Sequence, residues 1–313
     1  MLHTNPPRLS ILVGKGGVRR TTVAAGMGLV SSRRGVRTIL VELVPIPVIP
    51  PCFGTVDRGY DEVALAPNLS LVRVTWEDAL REYGLMKLRL RNLVRLVFDN
   101  PFMRHLLPAI PGLAEILVMG KVIHMAMAKG SDGQPTHVVL DGPATGHALS
   151  LLMAPAVVAR SFASGPLADD AIRLRDFLAD PTCTRVAVVA TPEEMPVTEA
   201  LELREKLVNE AGIPVETAFL NGMIPWGLDE SSQAAIRRLA LTHREDVGLA
   251  TAACAALFLS ERSDVGRRHF ERMQRGGLSR VIPLPAVPEG DDPMMRLMVL
   301  ADHLDAVLWR EGR

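Results

Sequence analysis

Short apolar runs rich in Val, Ile and Leu recur along the chain and alternate with stretches of helical period. The runs are Leu9–Val13, Thr38–Leu43, Leu69–Val74, His137–Leu140, Val186–Ala190, Val215–Leu220 and Val281–Leu284. Continuous apolar runs of this length suit strands buried on both faces, usually in a parallel sheet. Their alternation with helical patterns predicts an α/β fold: a doubly wound, mostly parallel sheet with helices on both faces. In that architecture ligands bind beyond the carboxyl ends of the strands, so the residues that follow each run carry the functional interest.

Between the third and fourth runs lies a long insertion, residues 76–129, with almost no strand signal. It reads as two or three helices broken at Pro101, Pro108 and Pro111-Gly112, a helical subdomain within one domain spanning 1–313. Its first helix carries Lys87, Arg89, Arg91 and Arg95 among leucines, and its last carries Met119, Met125 and Met127. Farther on, Asp229–Phe258 and Glu261–Arg275 read as amphipathic or Ala-rich helices. A C-terminal helix, Pro293–Arg310, repeats Met294, Leu297, Met298, Ala301, Leu304 and Leu308 at helical intervals, a pattern that favours packing on the sheet. The chain shows no internal repeat and no low-complexity tract.

Composition narrows the class. Of 313 residues, 48% are hydrophobic and 22% charged, which fits a soluble globular protein with a large core. Lys plus Arg (35) balances Asp plus Glu (35), so bulk charge points to neither nucleic acid nor an anionic membrane. Cys52, Cys183 and Cys254 are widely spaced, which supports no zinc site, iron–sulfur site or disulfide scaffold and suits a reducing compartment. The N-terminus lacks a secretion-signal pattern, and no apolar run approaches the roughly 20 residues of a transmembrane segment. A cytoplasmic location is expected.

The chemistry begins after the first run, at Gly14-Lys15-Gly16-Gly17-Val18-Arg19-Arg20-Thr21-Thr22, which opens into a helical pattern. A strand, a Gly-rich turn and a helix N-terminus form a phosphate cradle, because backbone N–H groups and the helix dipole converge on the anion. The spacing is that of G-x-x-x-x-G-K-[ST], with Arg19 at the second Gly and Arg20 at the Lys. Lys15 and the Thr-Thr pair point to the deviant Walker A variant K-G-G-V-G-K-T-T. A ligand-free Gly-rich turn is the bland alternative. Arg19 is expected to strain the loop or push it from the ligand, since a Cβ disfavours the dihedrals used there. Arg20 keeps the charge, but its planar fork cannot sit where a compact ammonium reaches between phosphates.

Further motifs carry a family resemblance. Asp141-Gly142-Pro143-Ala144-Thr145-Gly146-His147-Ala148-Leu149 follows the fourth run, Thr191-Pro192-Glu193-Glu194-Met195-Pro196-Val197 follows the fifth, and Phe219-Leu220-Asn221 ends the sixth. Pro111-Gly112-Leu113-Ala114-Glu115 lies inside the insertion. Together, in this order, they resemble the ArsA-like ATPase family of arsenite-transporter and tail-anchored-protein-targeting ATPases, in its bacterial branch. The resemblance implies a site for ATP or ADP with magnesium. Residues 14–22 would cradle phosphate, and Asn221 would read adenine. Residues 141–149 would form switch II, in which His147 could report on the nucleotide. Asp141 (through water) and Thr21 would hold magnesium. It also implies a dimer in which Lys15 reaches the opposite subunit's phosphates.

Family members usually place an Asp after the second strand to polarise water; here Val44 stands there, in a segment stiffened by prolines. Glu42 lies within the strand and is not cast as its substitute. The arsenite-binding cysteine cluster is not present, and Cys52 reads as a small apolar filler. Arg19, Arg20 and Val44 together predict a degenerate, weakly active or inactive ATPase, with no catalytic set intact. The expected function is a hydrolysis-deficient subunit, in a homo- or heterodimer, pairing with an active ArsA-like paralogue. Two alternatives stay open: an active ATP hydrolase using Arg20, and a nucleotide-independent scaffold or client-binding homodimer working through residues 76–129. For that insertion, ordinary helix core is the favoured reading of the methionines, and a solvated face that of the basic residues.

Overall fold

Alternate residues of the first strand point to two different cores. In the computed structural model, which describes residues 6–43, 47–87, 110–130, 133–161, 164–224, 227–287 and 292–309, Leu9, Ile11 and Val13 pack on one face of the sheet and Leu12 on the other. This two-residue alternation is what a strand covered on both faces must show.

The strands are β1 (Leu9–Gly14), β2 (Thr38–Glu42), β3 (Val63–Ala66), β4 (Leu69–Arg73), β5 (His137–Ala144), β6 (Thr184–Ala190), β7 (Thr217–Met223) and β8 (Arg280–Pro285). Among the described residues they form one eight-stranded sheet in the order β3-β4-β2-β5-β1-β6-β7-β8. Every pairing is parallel except β3 with β4. All seven predicted runs are strands. The edge strand β3 was not predicted: Val63-Ala64-Leu65-Ala66 is short and only Val63 is buried, so it carries little pattern. It exists because a turn at Asn68, in the left-handed region at φ 59°, folds it back on β4.

The helices α1 (Arg20–Arg33), α2 (Ile49–Cys52) and, at the far end of the chain, α10 (Pro293–Trp309) belong to one face. They pack with Leu12, Leu40, Phe219 and Ile282. Helices α3 (Trp76–Lys87), α4 (Leu113–Met127), α5 (Thr145–Ser161), α6 (Pro166–Ala179) and α7 (Glu194–Lys206) contribute to the opposite face. The favoured reading of the insertion holds for two of its methionines: Met119 and Met125 of α4 are buried, whereas Met127 is exposed. Arg89, Arg91, Arg95, Pro101 and Pro108 lie outside the described residues, as does the Lys87 side chain.

Helices α8 (Glu230–Thr242) and α9 (Val247–Arg275) correct the predicted boundaries. The first helix stops sixteen residues short of Phe258. Asp246 then caps a new one, its carboxylate accepting from the Leu249 amide at 3.0 Å. The expected break near Glu261 is absent, and α9 runs through it. Helix α10 lies along α1, where a Cβ added at Gly26 would stand 3.0 Å from Leu304 Cδ1. It reaches the sheet through the same core as Ile282 and Leu284.

Candidate functional site

Strand β1 sits between β5 and β6, while the chain leaves it through α1 for β2 on one side and later returns from β5 to β6 on the other. Such a switch point opens a crevice at the carboxyl ends of the strands. The loop joining β1 to α1 lines it. A Cβ at Gly14 would fall 2.2 Å from the Val189 carbonyl oxygen of β6, so the loop begins where two backbones touch. Gly142 makes the equivalent contact from β5, 2.6 Å from the Leu12 carbonyl. Gly17 takes φ 89°, and neither it nor Gly16 has an atom within 4 Å of an added Cβ. Arg19 precedes α1 at φ 60°, ψ 34°, the left-handed conformation expected to strain a residue with a side chain. The Arg19 carbonyl accepts from Thr22 and Val23, and no side chain caps the helix.

The two residues that follow turn inward. The Arg20 guanidinium donates from Nε to Asp141 Oδ1 at 2.8 Å, and from Nη1 to the carbonyls of Gly14 at 3.0 Å and Pro143 at 3.1 Å. Thr21 Oγ1 donates to the other carboxylate oxygen, Oδ2, at 2.6 Å. The side chain of Asp141 is 2% exposed and that of Arg20 12%, so this pair is held out of water. The Thr21 hydroxyl keeps its lone pairs while it donates to Asp141, but the Arg20 cation occupies the carboxylate, and with it in place the pair does not fit a divalent ion.

Glu42 pairs in register with Asp141 across β2 and β5. It is fully buried, and its Oε1 accepts the amides of Val48 and Ile49 at 3.1 and 3.0 Å. Its Oε2 has no partner among the described residues. Burial outweighs those two bonds and pushes its carboxyl above the usual range, with Asp141 adding in the same sense. Val44 lies outside the described residues.

Lys15 points the other way. Its Nζ pairs with Glu199 Oε1 of α7 at 2.5 Å, and Thr145 Oγ1 at the start of α5 donates to Glu199 Oε2 at 3.0 Å. The Lys15 bond holds the Glu199 carboxyl below the ordinary value. Glu199 carried no signal in the sequence, because it sits mid-helix outside every motif. Gly146 and His147, in the first turn of α5, are exposed.

Beside the loop opens a cavity of about 560 Å³. Gly17, Arg19, Thr21 and Thr22 form one wall, and Asn221 and the Thr191-Pro192 turn another. The Asn221 amide donates to the Val18 carbonyl at 3.0 Å, tying the end of β7 to the loop. Arg262 of α9 and Arg296 of α10 also line it, as does Cys52. Neither arginine was legible as a site residue, since each comes from a distant helix with no motif around it.

Sheet order, loop position and cavity define a P-loop-type α/β fold with its cleft at the strand ends. Residues 8–164 match the model of the anion-transporting ATPases. The chain belongs to that family. Among curated relatives, the ATPase BagA of Mycobacterium tuberculosis is 24% identical over 241 residues, covering 72% of this chain and 68% of its own. The arsenical pump-driving ATPase of Acidiphilium multivorum is 23% identical over 242 residues, covering 72% of this chain but 41% of its own. One from Escherichia coli is 22% identical over 241 residues, with 72% and 40% covered. The matched stretch thus spans less than half the length of those two pump-driving ATPases. No described helix is long and apolar enough to cross a membrane.

Proposed function

We propose that this chain is a hydrolysis-deficient member of its family, a nucleotide-binding subunit that pairs with an active paralogue and completes or regulates its ATPase site. The observation that carries the reading is the buried Arg20–Asp141 pair. Phosphoryl transfer depends on cations and a water placed to within a fraction of a bond length. Here the basic group that should bridge the phosphates is turned back onto the carboxylate that should hold the metal. Neither group is free for its catalytic role, and Val44 in the sequence offers no base.

Lys15 supports the pairing. Its ion pair with Glu199 is about one-third exposed on either side. Bridges of that exposure contribute about 0–1 kcal/mol, so a phosphate offered by a partner can take Glu199's place. The trans-acting group therefore survives where the cis-acting groups do not. The cavity beside Arg19 is of ordinary ligand size, which favours a nucleotide-binding subunit over a nucleotide-independent scaffold. The reading takes the cytoplasm as the setting and a homo- or heterodimer as the working form.

The test is ATP binding, with and without magnesium, and turnover with magnesium by the purified chain, beside Arg19→Gly/Arg20→Lys and that double variant with Val44→Asp. Binding without turnover in the natural chain, and turnover appearing in the triple variant, are expected. Turnover by the natural chain that disappears in Asp141→Ala would make it an active hydrolase and end this reading. Co-purification of a paralogue with an intact K-G-G-V-G-K-T-T loop is the expected partner result.

A further inference from the structure

A phosphate site that relies on magnesium needs a carboxylate and a hydroxyl able to face the ion or its waters. Asp141 and Thr21 are in the right place on the chain, within β5 and in the first turn of α1. Both oxygens of Asp141 are nevertheless engaged, one by Arg20 and one by Thr21. To admit a divalent ion, the guanidinium would have to leave. It is held by more than the carboxylate: the Gly14 and Pro143 carbonyls accept from the same side chain, and the site is almost closed to water. Breaking three hydrogen bonds around a buried charge is costly, and the two cations would repel each other meanwhile.

Thr21 connects this pair to the neighbouring cavity, whose lining suits an anion that arrives without its metal. Among the described residues, three guanidinium groups line it, Arg19, Arg262 and Arg296, against one carboxylate, Glu193. Arginine is the side chain that best matches phosphate oxygens, in a planar fork of donors. Gly16 and Gly17 leave open space where side chains would project, and the first turn of α1 has no side-chain cap competing for its N–H groups.

We propose that this cavity binds a nucleoside di- or triphosphate as the free anion, without any divalent cation, Arg20 standing where the metal's charge would stand. The proposal rests on the nucleotide reading above and adds to it the form in which the ligand is taken.

The experiment is a fluorescence titration of the full chain with N-methylanthraniloyl-ADP, once in excess EDTA and once in excess magnesium. Magnesium is expected to weaken apparent binding by about threefold or more, because it complexes ADP and removes the free anion that the site takes. An unchanged or tighter dissociation constant in magnesium overturns the proposal and leaves the nucleotide reading intact. Absence of binding in both buffers removes the nucleotide reading itself, and this proposal with it. A second measurement follows manganese by electron paramagnetic resonance as a stand-in for magnesium. The natural chain with ADP is expected to hold no bound manganese, and Arg20→Ala, which releases Asp141, to gain it. Bound manganese in the natural chain overturns the proposal, as does an Arg20→Ala variant that folds, binds ADP and still takes no metal.

Discussion

At the scale of single residues, the loop is governed by where a Cβ can go. Gly14 has no alternative, because its hydrogen points at a backbone carbonyl of β6 that cannot swing away. Gly14→Ala is expected to lower stability by about 2 kcal/mol or more, read as a shift in the urea midpoint, since over-packing against main chain forces strands apart. A loss below about 0.5 kcal/mol would show that β1 and β6 separate easily. Arg19 presents the opposite case, a side chain where Gly is the family's choice, tolerated because its Cβ position is strained but not blocked. Both arginines were legible in the sequence as departures from a loop pattern. What was not legible is where Arg20 goes. Its partner lies 121 residues away, and only the β1–β5 pairing places the carboxylate beside it.

At the scale of elements, α1 and α10 form the second half of the core. Leu304 is fully buried and stands against Gly26. Leu304→Ala is expected to cost about 2–4 kcal/mol, because the rigid neighbours cannot collapse into the space. The same two helices are joined at the surface by Arg33–Asp302 and Arg34–Asp305, both well exposed. Asp302→Asn should change stability by less than about 0.5 kcal/mol, as screened ion pairs do. Equal effects from the two variants in one denaturation series would contradict this division between burial and charge. The helical period of α10 was plain in the sequence, and so was its preference for an interior face. The helix it lies along was not, because apolar spacing identifies a buried stripe without naming what covers it. The α8–α9 boundary was misplaced for a related reason: Ala-rich sequence continues the helical pattern straight through the turn that Asp246 caps.

At the scale of the whole molecule, one buried histidine couples folding to pH. His137 opens β5 and is bonded at 2.9 Å to Ser10 of β1 and, through its other nitrogen, to Ser31 of α1. Burial, helped by the Arg185 charge, pushes it down from 6.5 to about 3. Its folded value lies below its unfolded one, so between these limits the unfolded chain binds a proton that the folded chain refuses. The contribution is complete above about pH 6.5 and is lost as pH falls toward about 3. One such proton corresponds to about 1.4 kcal/mol per pH unit. Between about pH 7 and pH 5 the natural chain should therefore lose about 2 kcal/mol more, by urea unfolding, than His137→Gln does. Equal losses would mean that the imidazole is not held neutral.

The sequence by itself determined the strands of the sheet interior, the class of fold, the glycine-rich loop between β1 and α1 and the order of the family's motifs. It could do so because burial on both faces and a tight turn at a helix N-terminus leave local patterns. The edge strand β3, the burial of Glu42 beside Asp141, the Glu199 latch on Lys15 and the arginines from α9 and α10 were decided only in the tertiary structure. Each depends on which strand or helix lies next to which. The turning of Arg20 onto Asp141 belongs with them: the residue was visible as an anomaly, but its consequence follows from a buried carboxylate that only the folded sheet brings within reach.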